Sequence, residues 1–263
     1  MSELALEPLL SPLAGDAPCG PDLEYDPAFL AMQEAGAGKP EQQYGDTVIP
    51  AQPPDWPAVQ EQALQLAERT RDLRVAVWLA RSGARLAGLA GAVRGLQLVQ
   101  GLLERHWPHL HPQLDASDHD DPTARVNALL PLLHPAAGLA DLRAASLTGR
   151  RGALTVRDLE LALGRVEAEP GEPAPSEEGA VQGVAAAIAE DPALAPRLQE
   201  GLAAVQAIAE GLDRRLASAQ GLDFAPLKKL LQCVAEAGRR AGGAAPGSAQ
   251  VPAIVAAPAA VAV

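Results

Sequence analysis

Aromatic residues are scarce in this sequence: Phe, Trp and Tyr together account for 3% of its 263 residues. Runs of β-branched and aromatic residues, which are typical of β-strands, are scarce as well. The 48% hydrophobic content therefore consists mainly of Ala, Leu and Val, residues that suit helices packed closely against one another. We predict an all-α protein, and the length allows one large domain or two smaller ones.

The sequence contains only two cysteines, Cys19 and Cys233, which lie far apart and in no spaced motif. Two isolated thiols are typical of a reducing compartment and argue against a disulfide framework. The N-terminus lacks the positively charged start of a signal peptide, and no apolar run reaches the ~20 residues of a membrane helix. We therefore expect a cytoplasmic protein without direct membrane insertion.

Positive charge is also in short supply, because the formal net charge is −12. The first fifty residues hold nine acids against one base, Lys39. These acids are Glu3, Glu7, Asp16, Asp22, Glu24, Asp26, Glu34, Glu41 and Asp46. Nucleic-acid backbones and anionic lipid headgroups repel such a surface. We expect no nucleic-acid partner.

Residues 1–166 carry the pattern of a multi-helix N-terminal domain. Asp26-Pro27 and Asp55-Trp56-Pro57 each place an Asp cap before a Pro in the first turn, which predicts two helix starts. Further helices are predicted over 73–86, 99–110, 126–133 and 156–166, where apolar residues recur at helical spacing. The first of these is apolar on nearly every side and should be central. We expect an extended lead-in over 1–26 and a polar loop over 39–54.

A second helical region is predicted after a Pro-rich linker at 167–175. Residues 176–240 read as a helical hairpin, and one of its helices carries an apolar heptad seam with 4-3-4-3-4 spacing. The seam comprises Leu198, Leu202, Val205, Ala209, Leu212 and Leu216. It either closes its own hairpin or also pairs with another copy of the chain. We expect residues 241–263 to be a disordered tail, a linker to a missing C-terminal domain.

One cluster of titratable residues is a candidate metal site. It comprises His106, His109, His111, Asp115, Asp118, His119, Asp120 and Asp121, and these residue types at this density could hold zinc or a similar ion. The alternative is that His106 packs at a helix end while the aspartates form a solvated loop. The metal interpretation would make the protein a metal-dependent hydrolase.

Other catalytic patterns are missing from the sequence. It has no Gly-x-Ser-x-Gly elbow, and Cys19 has no base nearby in sequence. Gly36-Ala37-Gly38-Lys39 fails as a phosphate loop because Pro40 follows the lysine where Ser or Thr is required. Trp56, Trp78 and Trp107 could form a stacking platform, but their helical apolar positions favour core packing. We predict no enzyme activity, no catalytic residue and no cofactor.

Five segments resemble the ImpA-type N-terminal domain of TssA, a component of bacterial type VI secretion systems. They are PCGPDLEYDPAFL (18–30), GDTVIPA running into PPDW (45–56), DLRVAVWL (72–79), WPHLHP (107–112) and RVNAL (125–129), spread over roughly residues 10–165. Residues 218–227 resemble the second helical region of one TssA subclass. The matched positions that we single out are Gly20, Asp22, Leu23, Tyr25, Asp26, Trp56, Asp72, Leu73, Arg74, Trp78, Trp107, His111, Pro112, Arg125 and Asn127.

The resemblance implies a non-enzymatic scaffold protein of the bacterial cytoplasm. Its partners would be proteins of the secretion baseplate, the membrane complex, and the contractile sheath and inner tube whose polymerisation it assists. A generic helical adaptor unrelated to secretion is the remaining alternative. The resemblance places a ring-forming domain beyond residue 240, so without that domain we expect a monomer or dimer.

The resemblance also suggests roles for individual matched residues. We expect Asp26, Asp55 and Asp72 to cap helices. Trp56 and Trp78 should fill the core. Either Arg74 or Arg125 should tie the acidic lead-in to the helices.

Overall fold

The computed structural model describes residues 4–45, 47–216 and 221–243, and it confirms the predicted all-α class. In chain order the helices are α1 (Leu6–Leu10), α2 (Pro27–Ala37), α3 (Trp56–Ala67), α4 (Leu73–His106), α5 (Thr123–Leu133), α6 (Gly138–Arg143), α7 (Val156–Ala162), α8 (Glu177–Glu190), α9 (Leu194–Asp213) and α10 (Ala225–Gly243). Two short strands, β1 (Gln42–Tyr44) and β2 (Thr47–Ile49), pair antiparallel with Gln43 opposite Val48. Residues 244–263 of the predicted tail lie outside the described residues.

Aspartate caps begin the three helices that surround the lead-in, as predicted. The Asp26 carboxylate accepts a hydrogen bond from the backbone N–H of Ala28, at 2.9 Å, at the start of α2. Asp55 accepts a hydrogen bond from the N–H of Ala58 at the start of α3, and Asp72 accepts one from the N–H of Arg74 at the start of α4. Each cap satisfies a backbone donor that the first turn of a helix leaves without a partner.

Helix α4 reverses direction at Gly88, which has φ +65° and ψ −147°. A Cβ atom added to Gly91 would lie 2.2 Å from the carbonyl oxygen of Gly83, and one on Gly95 would lie 2.2 Å from the Ala80 Cα. Such contacts require the two halves of α4 to run antiparallel, side by side, with their backbones close together. We predicted a central helix over 73–86, but not this reversal.

The reversal also affects how α4 is interpreted, because α4 is the one helix among the described residues that is long and apolar enough to cross a membrane. By length and composition α4 could cross a membrane, yet 61% of its most apolar window is buried inside the protein. Because its halves fold back on each other, they form the centre of the helical packing and not a single straight rod. We therefore interpret α4 as a core element.

Helix α9 packs against α4 and α10, and this packing covers the heptad seam. Leu198, Val205 and Leu212 are buried in the same apolar cluster as the α4 residues, whereas Leu202 is only partly buried. Gly201 brings α9 close to Val93 of α4, because a Cβ there would lie 2.8 Å from a Val93 methyl group. The heptad seam therefore packs against other helices of the same chain. The division into 1–166 and 176–240 stays a prediction, since both regions share this cluster.

Several local elements differ from our predictions: α6 was not predicted, the helix predicted over 99–110 is part of α4 and ends at His106, and the helix predicted over 156–166 ends at Ala162. Three further differences are shorter. The lead-in contains the short helix α1, whose Leu10 is 5% exposed and packs on Gly101 of α4. The predicted polar loop contains the β1–β2 hairpin, which turns at Gly45 with φ +60°. Residues 241–243, predicted as tail, continue α10. Of these segments, α1 depends on a contact that lies far away in the sequence, whereas the β1–β2 hairpin pairs residues at most seven positions apart.

Candidate interaction site

Arg74 gathers three carboxylates at the start of α4. Its Nη2 atom lies 2.7 Å from Asp22 Oδ1 and 2.7 Å from Asp72 Oδ2, and its Nη1 atom lies 3.0 Å from Glu24 Oε2. The guanidinium also lies over the Phe29 ring at 5.0 Å. Three negative charges around one positive charge leave the cluster with a net charge of −2. The predicted tie between the lead-in and the helices is present at Arg74.

The charges of this cluster shift the pKa values of Asp22 and Arg74. Burial acts to raise the pKa of Asp22, but the Arg74 charge and hydrogen bond outweigh it, so the pKa lies below its usual range. Burial likewise acts to lower the pKa of Arg74, and hydrogen bonding to Asp72 and the charges of Asp72 and Asp22 raise it overall. Both groups are therefore ionised at neutral pH.

His111 joins the loop after α4 to the lead-in. Its Nε2 atom lies 2.9 Å from the carbonyl oxygen of Gly20, so this nitrogen is the donor. Its Nδ1 atom is buried, has no hydrogen-bond partner among the described residues, and lies 3.9 Å from Asp22 Oδ2. The backbone N–H of Leu73 donates to the His111 carbonyl at 2.8 Å. His111 thus acts as a structural link.

Arg125 does not tie the lead-in, which corrects our prediction for this residue. It is fully buried, and its guanidinium donates to the carbonyl oxygens of Pro112 and Leu110 at 2.7 Å and to that of Trp107. It also lies over the Trp107 ring at 4.6 Å. Burial lowers the pKa of Arg125 to about 10. Arg125 therefore holds α5 to the loop that follows α4.

Arg71 and Arg69 are among the further anchors of the lead-in that the sequence did not reveal. Arg71 donates to the carbonyl oxygens of Pro8 and Ser11, both at 2.9 Å, and Arg69 pairs with Asp26 at 2.8 Å. The only sequence feature that pointed to Arg71 as an anchor is its position next to Asp72, one of the matched residues. Its acceptors are backbone carbonyls some sixty positions away, and a sequence pattern does not identify such partners.

Trp56 is buried, whereas Trp78 and Trp107 are partly buried and pack against the apolar core. The Trp56 and Trp78 ring centroids lie 6.5 Å apart, and the Arg81 guanidinium lies over both rings, at 5.5 and 4.4 Å. Gly36 makes room for Trp78, since a Cβ there would lie 2.3 Å from its ring. Trp107 lies between the guanidinium groups of Arg125 and Arg215.

A groove of about 440 Å³ opens beside the Arg74 cluster, between α2, α4 and α5. We call it the matched groove, because four of the residues singled out above line it, namely Arg74, Trp78, Pro112 and Asn127. Its lining comprises Glu24, Gln33, Arg74, Val77, Trp78, Pro112, Ala124, Asn127, Ala128 and Pro131. The groove collects residues from four of the five sequence segments that resemble TssA.

Exposed apolar side chains border the matched groove. Tyr25 is 85% exposed and follows Glu24 directly. Leu30, 51% exposed, lies three residues before Gln33 on α2, and Leu130, 46% exposed, lies three residues after Asn127 on α5. Residues three apart on a helix share a face. Large apolar side chains in water around a groove are typical of protein-binding surfaces.

The remaining matched positions are structural. Gly20 has φ +66°, and a Cβ there would lie 2.2 Å from the carbonyl oxygen of Arg69. Leu73 is fully buried, and Leu23 packs partly buried against the same core. These residues hold the lead-in in place but do not face the groove.

The His/Asp cluster does not form a metal site. Within the parts of the chain that the structure describes, which include the whole cluster, no three His, Cys, Asp or Glu side chains come together as ligands. His106 bonds the Leu10 carbonyl at 2.8 Å, and His119 is 98% exposed. Asp115 accepts hydrogen bonds from Ser117, and Asp121 accepts from the N–H of Thr123. These positions favour the alternative interpretation, in which His106 packs at a helix end and the aspartates form a solvated loop.

Cys19 does not have the surroundings of a nucleophile. It is 2% exposed, and burial raises the pKa of its thiol above the usual value. A buried thiol that stays protonated at neutral pH is a weak nucleophile. Its carbonyl accepts from the N–H of Arg71, so its observed role is to hold the lead-in against α4.

The fold and the matched groove define a class: an all-α domain that presents an open groove with an apolar border. Residues 10–134 match the model of the family described as ImpA, N-terminal, type VI secretion system. The chain is 40% identical over 231 residues to the type VI secretion system component TssA1 of Pseudomonas aeruginosa, a match that covers 85% of this chain and 65% of that protein.

A solved structure agrees with this match. The chain resembles the N-terminal domain, including the conserved ImpA_N region, of the TssA component of the type VI secretion system from Burkholderia cenocepacia, with a TM-score of 0.63 and 26% identity. That similarity covers 91% of this chain and 94% of the other. Residues 10–134 therefore carry the ImpA N-terminal region, and the chain, which spans 65% of the length of TssA1, is similar to TssA components of the type VI secretion system.

Proposed function

We propose that this protein is a non-enzymatic scaffold of the bacterial type VI secretion system, acting in the cytoplasm. In this role it contacts proteins of the baseplate and the membrane complex and assists polymerisation of the sheath and tube. The similarity to the ImpA N-terminal family and to TssA1 supports a role in the type VI secretion system. The acidic charge of the chain disfavours nucleic acid as a partner.

The matched groove is the surface that we assign to partner binding. The observation that carries this assignment is the meeting of residues from four matched segments at one open groove, bordered by exposed Tyr25, Leu30 and Leu130. Interfaces rely on a few aromatic and aliphatic anchors at their centre. The ion pairs of Arg74 give the groove a fixed wall, which limits the entropy lost on binding.

A pull-down from cells with an intact type VI secretion system tests the proposal. The tagged full chain should recover baseplate, membrane-complex or sheath proteins, identified by mass spectrometry. The variant Tyr25→Ala/Leu30→Ala/Leu130→Ala should lose them, because its exposed anchors are removed without a change in the core. Leu64→Ala, at another exposed position (37%), is the matched control and should keep them.

Two results would contradict the proposal. Repeated absence of all secretion-system proteins with the wild-type chain would remove the scaffold function. Full recovery with the triple variant would leave the function in place but move the binding surface away from the matched groove.

A further inference from the structure

A second groove, of about 820 Å³, lies between α7, α9 and α10. We call it the α10 groove. One stripe of α10 forms its length, with Pro226, Lys229, Cys233, Glu236 and Arg239 at spacings of three or four residues. This stripe is about 20 Å long at 1.5 Å per residue. The groove shares no residue with the matched groove, and all its lining residues lie outside residues 10–134.

The floor of the α10 groove is apolar. Leu230 is 2% exposed and Cys233 is 6% exposed, while Leu202 of α9 adds the one leucine of the heptad seam that remains only partly buried. Burial, with a smaller contribution from the Glu160 charge, raises the pKa of the Cys233 thiol to about 11. The thiol is therefore uncharged at neutral pH, and it contributes apolar surface, not a nucleophile.

The rim of the α10 groove is positively charged. Arg143 pairs with Glu160 at 2.8 Å, and Arg165 pairs with Glu236. Lys229 and Arg239 are exposed, and no ion pair joins either of them to another described residue. The lining thus carries four cations against two carboxylates, a local charge of +2 on a chain of charge −12.

We propose that the α10 groove binds an acidic segment of a partner protein that inserts an apolar side chain. Carboxylates of this segment would pair with Lys229 and Arg239, and the apolar side chain would cover Leu202 and Cys233. The argument is charge complementarity: a positive rim on a strongly acidic protein attracts anionic segments and repels cationic ones. An apolar floor between charged rims then fixes the position of the segment.

Two labelled peptides serve as probes. Both are 15 residues long with Leu at helical spacing, and the other positions are Glu in one peptide and Lys in the other. Fluorescence anisotropy with the full chain should show the Glu peptide binding at least about tenfold more tightly than the Lys peptide. Its binding should weaken as salt is raised from about 50 to 300 mM, since salt screens exposed charges.

Charge-reversal variants locate the binding. Lys229→Glu/Arg239→Glu should weaken binding of the Glu peptide at least about tenfold. Lys228→Glu/Arg151→Glu changes the net charge equally at positions that do not line the groove, and it should bind like the wild type. Leu202→Ala should weaken binding at all salt concentrations, because it removes apolar floor. Circular dichroism melting of each variant verifies that it is folded.

Three outcomes would overturn the proposal. Equal affinity for the Glu and Lys peptides would remove the charge argument. Equal weakening by both charge-reversal pairs would show a general charge effect without a groove. Self-association of the wild type in sedimentation velocity, lost in Lys229→Glu/Arg239→Glu, would assign the groove to a second copy and not to a partner. None of these results bears on the matched groove.

Discussion

Arg74 and Asp22 are 52 positions apart in the sequence, and the Nη2 atom of Arg74 lies 2.7 Å from Asp22 Oδ1. The same guanidinium holds Asp72, the cap of α4, whose side chain is fully buried. One side chain thus joins the acidic lead-in to the start of the central helix. It also forms a wall of the matched groove.

Replacing Arg74 with Met should destabilise the protein by about 2 kcal/mol, because the buried Asp72 carboxylate loses its counter-ion. The exposed fractions of Asp22 (43%) and Glu24 (50%) keep the loss below that of a fully buried network. Urea unfolding followed by circular dichroism measures the change. Arg69→Met, which breaks a more exposed pair with Asp26, should cost much less. Equal losses in the two variants would contradict a central role for Arg74.

The stability conferred by Asp22 should depend on pH. Its pKa in the folded protein lies below the ordinary value of 3.8, so its contribution is complete above that value and is lost as pH falls through the folded pKa. Asp22→Asn should therefore be less stable than the wild type at pH 6, and the difference should shrink below pH 3.8. Urea midpoints at pH 2 to 6 measure it. A difference that is constant with pH would show that the effect of the substitution is not electrostatic.

Replacing Arg125 with Met should cost about 3 kcal/mol, because two buried carbonyl oxygens and one partly buried carbonyl oxygen would lose this donor. Arg125→Lys keeps the charge but lacks the planar fork, so its loss should be intermediate. Thermal unfolding measures both variants. If Arg125→Met melted at the same temperature as the wild type, these hydrogen bonds would contribute nothing to stability.

Gly88→Ala should destabilise the protein by more than about 2 kcal/mol, since the backbone conformation at this position is essentially restricted to glycine. A Cβ there would also lie 2.2 Å from the carbonyl oxygen of Ser146. Gly242→Ala, in α10, is the control: an added Cβ meets no atom of a described residue within 4 Å, so the change should be neutral or slightly stabilising. Thermal melts of the two variants decide the matter. Similar melting temperatures for the two variants would contradict the assignment of the α4 reversal to Gly88.

A fragment of residues 1–166 should bind a hydrophobic dye and self-associate, because it exposes the face of α4 that α9 covers. Val93 is fully buried in the whole chain, close to Gly201. Dye fluorescence and sedimentation velocity measure both properties. A monomeric fragment that melts like the whole chain would instead confirm the predicted domain boundary.

The sequence by itself determined the helical class and several helix starts. Asp26, Asp55 and Asp72 cap their helices with hydrogen bonds that span only two or three residues, so local chemistry was sufficient. The resemblance also identified most of the residues that line the matched groove. These results rest on short-range patterns, which a chain carries whatever its final packing.

The tertiary structure alone decided how these elements combine. The glycines at 83, 88, 91 and 95 all lie in one helical pattern, and only contacts between the two halves of α4 single out Gly88 as the reversal. The partners of Arg125 and the positive rim around Lys229 likewise join separate parts of the chain. The burial of a side chain and the charge around it depend on residues from distant segments of the chain. A short sequence pattern does not contain those residues, so it does not predict either property.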